Sequence, residues 1–245
     1  MLEKVLNYLE KFQLIFLGIV LMLGLIIATN IVTSALPNDG ITVTGSASRI
    51  VKSDKGSLTF DITTRQKSRK LAYAEIQKQI PIVVNFLKTK GLTDKDIEIK
   101  TPNGYNTYKT LPNGNSSNEF DYYNLYQPIT VKSSNVDNIK ELSIALGSLT
   151  NRGIEINQQE PEYYYSKISN LKVELLHEAT TDAKQRAKAM LKATHNRTGK
   201  IQSVKMGVFQ ITASDSTDVS DGGIYNTSSI EKKVTAVANV VFKIK

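Results

Sequence analysis

From Phe12 to Asn38 the chain carries no charged residue, and Leu14 to Ala28 (LIFLGIVLMLGLIIA) is almost purely aliphatic. A helix needs about 20 apolar residues to span the hydrocarbon core of a bilayer. The run therefore predicts a transmembrane helix over 12–32, after a short N-terminal segment at 1–11 and before a linker at 33–40. A cleaved signal peptide is the rival reading, because Thr33-Ser34-Ala35 offers a small-residue cleavage site. Beyond residue 40 the pattern changes to alternation. ITVTGSA (Ile41 to Ala47) reads as a strand ending at a glycine, and Leu58, Phe60 and Ile62 share one face of the next strand.

Helical spacing then takes over. Ala72, Ile76, Ile80, Val83 and Leu87 form one stripe, Gly91 is placed to end that helix, and Pro81 is expected to kink or split it. Asp96 to Thr101 reads as a short strand with Ile97 and Ile99 inward. Pro102 to Asn118 holds two Pro-Asn-Gly turns and reads as a hairpin or long loop. Glu119 to Ser133 reads as a strand, with Pro128 pointing to an edge or a bulge. Val136, Ile139, Leu142, Leu146 and Leu149 mark a second amphipathic helix, capped by Ser134 or Asn135 and followed by Gly153. After the short strand IEINQ comes the longest helix, with a stripe of Leu176, Ala179, Ala183, Ala187 and Met190. KIQSVKMGVFQIT and EKKVTAVANVVFKIK read as the last strands. The expected fold is α/β (α+β), mixed β-sheets packed with long amphipathic helices, preceded by one transmembrane helix.

The anchor changes how the charge is read. The 245 residues carry a net charge of +8 and no cysteine, which excludes thiol nucleophiles and cysteine-bound metal clusters. One span followed by a large domain is the layout of a signal-anchor protein. Residues 1–11 are then cytoplasmic, and 41–245 face the periplasm or cell exterior from the inner or plasma membrane. The polyanions met there are lipid headgroups and envelope polymers, so no nucleic acid is expected as a partner.

Chemistry is sparse. The two histidines, His177 and His195, are about five turns apart along one predicted helix. No nucleophile elbow, phosphate-binding loop or dinucleotide fingerprint is present. No catalytic residue, cofactor or metal is expected. Lys184, Arg186, Lys188, Lys192, Arg197 and Lys200 concentrate charge toward the end of the long helix and just past it, with Lys184, Lys188 and Lys192 the candidate contacts for an anionic surface. A solvated face suited to the helix dipole is the leading reading, and contact with an anionic surface the second. Tyrosines gather at Tyr105, Tyr108, Tyr122, Tyr123 and Tyr126, and again at Tyr163 to Tyr165. They serve either a contact surface or cross-strand packing.

Between the last strands lies SDSTDVSDGGIYNTSS, Ser214 to Ser229. Asp215, Asp218 and Asp221 recur every three residues, whereas a calcium loop needs alternating ligands and a glutamate at its twelfth position, where Asn226 stands. A segment of this composition is expected to be mobile in a monomer. Val219, Ile224 and Tyr225 are apolar residues that a solvated tip does not need, so the loop is expected to contact another subunit.

The C-terminal run from Met206 to Lys245 resembles the SIMPL-domain family, bacterial secreted or envelope proteins of unknown function. ITVTGSA, GLTDKDIEIKTPNGY and EATTDAKQRAKAM are similar to its opening strand, its helix-to-strand passage and its alanine-rich helix. The resemblance covers about Ile41 to the C-terminus. It implies mixed sheets with long helices and, as in some members, ring-like homo-oligomers. It carries over no catalytic residues. Many relatives follow the alanine-rich helix with a glycine-rich turn, where this chain has THNRTGK. The leading expectation is a membrane-anchored, extracytoplasmic, oligomerising interaction module without catalysis. A binding module for an anionic envelope ligand comes second, and a carboxylate-dependent hydrolase third.

Overall fold

The computed structural model describes residues 2–35 and 40–245, with side chains described from residue 12 onward except at 14, 30 and 32–39. The side chains of the expected cytoplasmic segment at 1–11, and most of the linker expected at 33–40, lie outside the described residues. Four helices and eleven strands are found among those described. They form a mixed α+β fold with two sheets.

The first helix, α1, runs from Leu2 to Ala35, about 51 Å at 1.5 Å per residue. Its side chains described without a break run from 15 to 29, and all are exposed. Among the described residues no helix is long and apolar enough to cross a membrane.

The remaining elements are β1 (Gly40–Lys52), β2 (Lys55–Gln66), α2 (Arg69–Thr89), β3 (Ile97–Ile99), β4 (Asn103–Thr110), β5 (Ser116–Ser133) and α3 (Val136–Ala145). A 3-10 turn over Leu146–Arg152 leads to β6 (Glu155–Gln158), β7 (Glu162–Tyr164), α4 (Ile168–Lys192), β8 (Thr198–Met206), β9 (Gln210–Ala213), β10 (Ile224–Tyr225) and β11 (Glu231–Ile244). One sheet has the order β1-β11-β9-β10, with β8 also on β11. The other has the order β3-β5-β2-β6, with β4 on β5 and β7 on β2. The chain gathers into two compact units. One comprises Met1–Thr44, Ala183–Lys205 and Asn239–Lys245; the other comprises Gly45–Asp182 and Met206–Ala238.

The larger core lies between the β5–β2 sheet and the helices α2 and α3. Leu58, Phe60, Ile62, Ile76, Leu87, Ile129, Ile139 and Leu146 are almost wholly removed from water there. Each such side chain contributes about 2 kcal/mol by burial. Close approach of α3 to β2 requires Gly56, since a Cβ at that position would meet Ile139 at 2.9 Å. Both expected stripes are found, with Gln79 and Phe86 joining that of α2. The helix ends follow local chemistry. Ser68 accepts from the Leu71 N–H at the start of α2. Gly91, at φ +84°, lets its own N–H and that of Leu92 reach the carbonyls of Lys88 and Leu87.

Several expectations are corrected. α2 runs through Pro81 as one helix, because Pro81 is on the exposed side, where water can serve the Gln77 carbonyl. β1 continues past Gly45 to Lys52. Ile97 packs on the core, but Ile99 is 46% exposed, at the end of a three-residue strand. The first Pro-Asn-Gly leads into β4, and only the second makes the turn of the β4–β5 hairpin. The last strands number four: KIQSVKMGVFQIT divides into β8 and β9 around Gly207, and β10 lies within the loop. On α4 the buried residues are Leu171, Leu175, Ala179, Ala183, Ala187 and Leu191, while Met190 is 55% exposed. Every step there is four residues, so the stripe drifts around the helix and leaves Leu176 and Met190 to one side.

Pro128 sits inside the sheet, with β2 on one side and β3 and β4 on the other. It is tolerated where the neighbour changes from β3 to β4. The Lys100 N–H donates to the Pro128 carbonyl at 2.9 Å, and the Lys100 carbonyl accepts from the side chain of Gln127 in place of the N–H that proline lacks.

Candidate functional site

The Ser214–Ser229 loop is folded back on its own sheet, which corrects the expectation of a free tip. Ile224 and Tyr225 form β10, parallel to β9 and opposite Gln210 and Ile211. The Gln210 amide donates to the Ser220 carbonyl at 2.7 Å, and the Asn226 N–H donates to the Ile211 carbonyl at 2.8 Å. Lys232, only 2% exposed, donates to the carbonyls of Asn226 and Ser229 at 2.7 Å each. Burial lowers its pKa to about 8. At Gly223, φ is +83°, and a Cβ there would meet the Phe209 carbonyl at 3.0 Å. Of the expected contact residues, Val219 is 81% exposed and Tyr225 52%, while Ile224 is half-buried. The Asp218 carboxylate accepts from the Ser216 hydroxyl at 2.8 Å. Among the described residues no three His, Cys, Asp or Glu side chains converge as a metal site.

Lys184, Lys188 and Lys192 lie along the exposed side of α4 as it ends. The structure brings Lys188 and Lys192 together with His195, Asn196, Arg197 and Thr198 around an open hollow of about 430 Å³. Lys184 is not part of its lining. None of the hollow's cations has a carboxylate partner among the described residues. His195 takes φ 61°, so that the Asn196 N–H turns back to the Leu191 carbonyl at 3.0 Å. The N–H and carbonyl of Arg197 both bond to Lys245, which places the C-terminal lysine at the same end of the sheet. Gly40, the first residue of β1, is there too, since a Cβ on it would meet Gln202 and Val241. This end therefore collects cations from three stretches of sequence beside the point where the chain enters the sheet. Sequence reading found the α4 lysines by their spacing. It also named Arg197 just beyond them, and it missed Lys245, because only the β8–β11 pairing joins that residue to the others.

The tyrosines divide by the pleat of the sheet. Tyr123 and Tyr163 enter the core. On the opposite face Tyr105 and Tyr126 stack, with centroids 6.0 Å apart and planes at 22°, and the Arg65 guanidinium lies 5.8 Å from the centre of the Tyr122 ring. Burial thus sends part of the cluster into the core and leaves Tyr105 and Tyr126 packed across strands on the other face.

At the N-terminal part of α4, Arg49 of β1 bonds Glu174 at 2.6 Å and also Glu178, which holds its pKa above the ordinary arginine value. The Asp182 carboxylate accepts from the Ser46 N–H at 2.9 Å. The acidic start of α4 is thereby engaged within the fold, while Lys188 and Lys192 near its end are exposed.

No curated protein matches the chain. The family comparison is positive, and it covers the strands and helices described above from the start of β1 to near the end of β11. Over residues 41–242 the sequence matches SIMPL, a protein of unknown function (DUF541), and the chain belongs to that family.

Proposed function

We propose that this chain is a membrane-anchored interaction module whose domain lies outside the cytoplasm, rests its basic end on the anionic membrane surface and assembles with copies of itself. The anchor is supported by the uncharged run Phe12 to Asn38 and by the unbroken helix α1 through Ala35. One observation carries the reading. Gly40, which lies against Gln202 and Val241 on the strands that run to Arg197 and Lys245, follows Ala35 by only five residues, so Ala35 and Gly40 are within about 18 Å of each other whatever path the chain takes. If α1 spans the bilayer, that basic end faces the headgroups. Each lysine or arginine near an anionic leaflet contributes about 1 kcal/mol of attraction.

Self-assembly is the second half of the proposal. It rests on the exposed Val219 and Tyr225, held at fixed positions by a loop that is itself hydrogen-bonded to the sheet. The proposal assigns the chain no reaction. An anionic envelope ligand at the α4 hollow is the alternative that the unpaired lysines favour, and it differs in being displaced by salt.

Alkaline extraction of membranes from cells expressing the full chain tests the anchor. The chain is expected to stay in the pellet, with a mature N-terminus ahead of Phe12 and the domain digested by protease added from outside. A mature protein that begins near Leu36 would overturn the proposal.

A further inference from the structure

The β5–β2 sheet has a second face. The described helices that pack on this sheet are α2 and α3, and they cover the face of Leu58, Phe60 and Ile62. The pleat turns Ser57, Thr59, Asp61, Thr63 and Arg65 of β2 the other way. By register, Thr59 faces Thr130, Asp61 faces Pro128 and Thr63 faces Tyr126 on β5, while Tyr105 of β4 lies opposite Asn124. The result is a flat wall with aromatic rings at one end and a broad open hollow of about 700 Å³ at the other. Ser57, Thr59, Thr130 and Tyr164 are among the residues lining that hollow.

Two groups on this wall have no use within the fold. The Thr63 hydroxyl is buried in a residue only 9% exposed and has no hydrogen-bond partner. Asp61 makes no hydrogen bond or ion pair among the described residues, and burial raises its pKa. The half-buried Asp61 carboxylate, left open beside that occluded hydroxyl, is what a ligand's own hydroxyl would satisfy.

The charges on the wall are mixed, with Lys55, Arg65 and Lys132 set against Asp61, Glu98, Glu155 and Glu162, and Lys132 pairs with Glu98 at 3.3 Å. This balance contrasts with the uniformly basic end of α4. It complements a neutral ligand rather than a polyanion. The wall also lacks the aliphatic centre of a protein–protein interface. Its apolar groups are Pro128 and ring faces, and those rings are tyrosines with polar tips.

From this combination we infer that the outer face of the β5–β2 sheet is a binding site for a neutral polysaccharide, which lies along the strands. The apolar C–H face of a sugar ring packs on the exposed ring of Tyr105, which Tyr126 holds in place by stacking and by a bond between the two hydroxyls at 3.3 Å. Hydroxyls of the neighbouring sugars bond to Asp61 and Arg65. The inference is independent of the anchor and of the basic end, which belong to other residues.

The test is titration of the full chain in detergent with cellohexaose and with the N-acetylglucosamine hexasaccharide, read by tyrosine fluorescence. The chain has 11 tyrosines and no tryptophan, so the signal is tyrosine alone. Binding of at least one of the two is expected, weakened at least tenfold by Tyr105→Ala and by Asp61→Asn, with the far-ultraviolet dichroism unchanged. Tyr105 is 56% exposed, so its truncation does not open the core. The paired change Lys188→Glu, Lys192→Glu is expected to leave this binding intact. Failure of both oligosaccharides to bind at millimolar concentration overturns the inference. So does binding that survives Tyr105→Ala and Asp61→Asn, or binding confined to polygalacturonate and lost in salt.

Discussion

Lys232 shows how a single residue can fasten a loop. Its ammonium, buried at the root of β11, holds the carbonyls of Asn226 and Ser229, and burial brings its pKa down from 10.5 to about 8. Between those two values the unfolded chain keeps the proton and the folded chain releases it. The unfolded state then binds more protons, so this residue's contribution to stability rises as pH increases from about 8. The wild type is therefore expected to gain on Lys232→Met in urea denaturation between pH 8 and pH 10, and a constant difference across that range would contradict the assignment. His195 gives a second test at this scale. It adopts φ 61° at the end of α4, a conformation that costs a side-chain-bearing residue about 1 kcal/mol and glycine almost nothing. In the THNRTGK turn it does what a glycine does elsewhere. His195→Gly is expected to stabilise the fold by about that amount, and a lower urea midpoint would count against the strain.

Elements were legible where one pattern dominated. The α2 and α3 stripes were readable because core positions recur at three and four residues, although Leu146 and Leu149 of the second stripe fall in the 3-10 turn after α3; Gly91 stands just past α2 and Gly153 just past that turn. The α4 stripe was read one residue off at each end, because leucines at 175 and 176 compete for one face and only packing chooses between them. Strands β7 and β10 have three and two residues, too few for an alternation to show. Pro128 was misjudged because its compensation, the Gln127 side chain on the Lys100 carbonyl, is a contact between strands. The loop that carries β10 is fixed by the same kind of long-range bond, which its Ser, Asp and Gly content hides. Its exposed residues can now be separated from its structural one. Ile224 is half-buried in β10, whereas Val219 and Tyr225 face out. The double change Val219→Ser, Tyr225→Ser is expected to lower the mass of the detergent-extracted particle without shifting its melting temperature. A particle of unchanged mass would remove the loop from the assembly surface.

At the scale of the whole molecule, the hydrophobic run is the basis of the proposed anchor, while the basic end became visible only through sheet pairing. Lys188 and Lys192 come from α4, Arg197 from the turn after it and Lys245 from the C-terminus, and no spacing in the sequence links them. The polysaccharide face was equally hidden, since the same tyrosine-rich stretch sends Tyr123 inward and Tyr122 outward. The central claim is that the basic end of the domain sits on the membrane that holds α1. The chain has no cysteine, so a fluorophore on Lys200→Cys marks this end uniquely. In vesicles of anionic lipid carrying a headgroup-attached quencher, the reconstituted full chain is expected to show strong quenching of that label, which persists through an alkaline wash and weakens in 1 M salt as the lysine and arginine contacts are screened. A label that stays bright, or that leaves with the wash, would contradict the account.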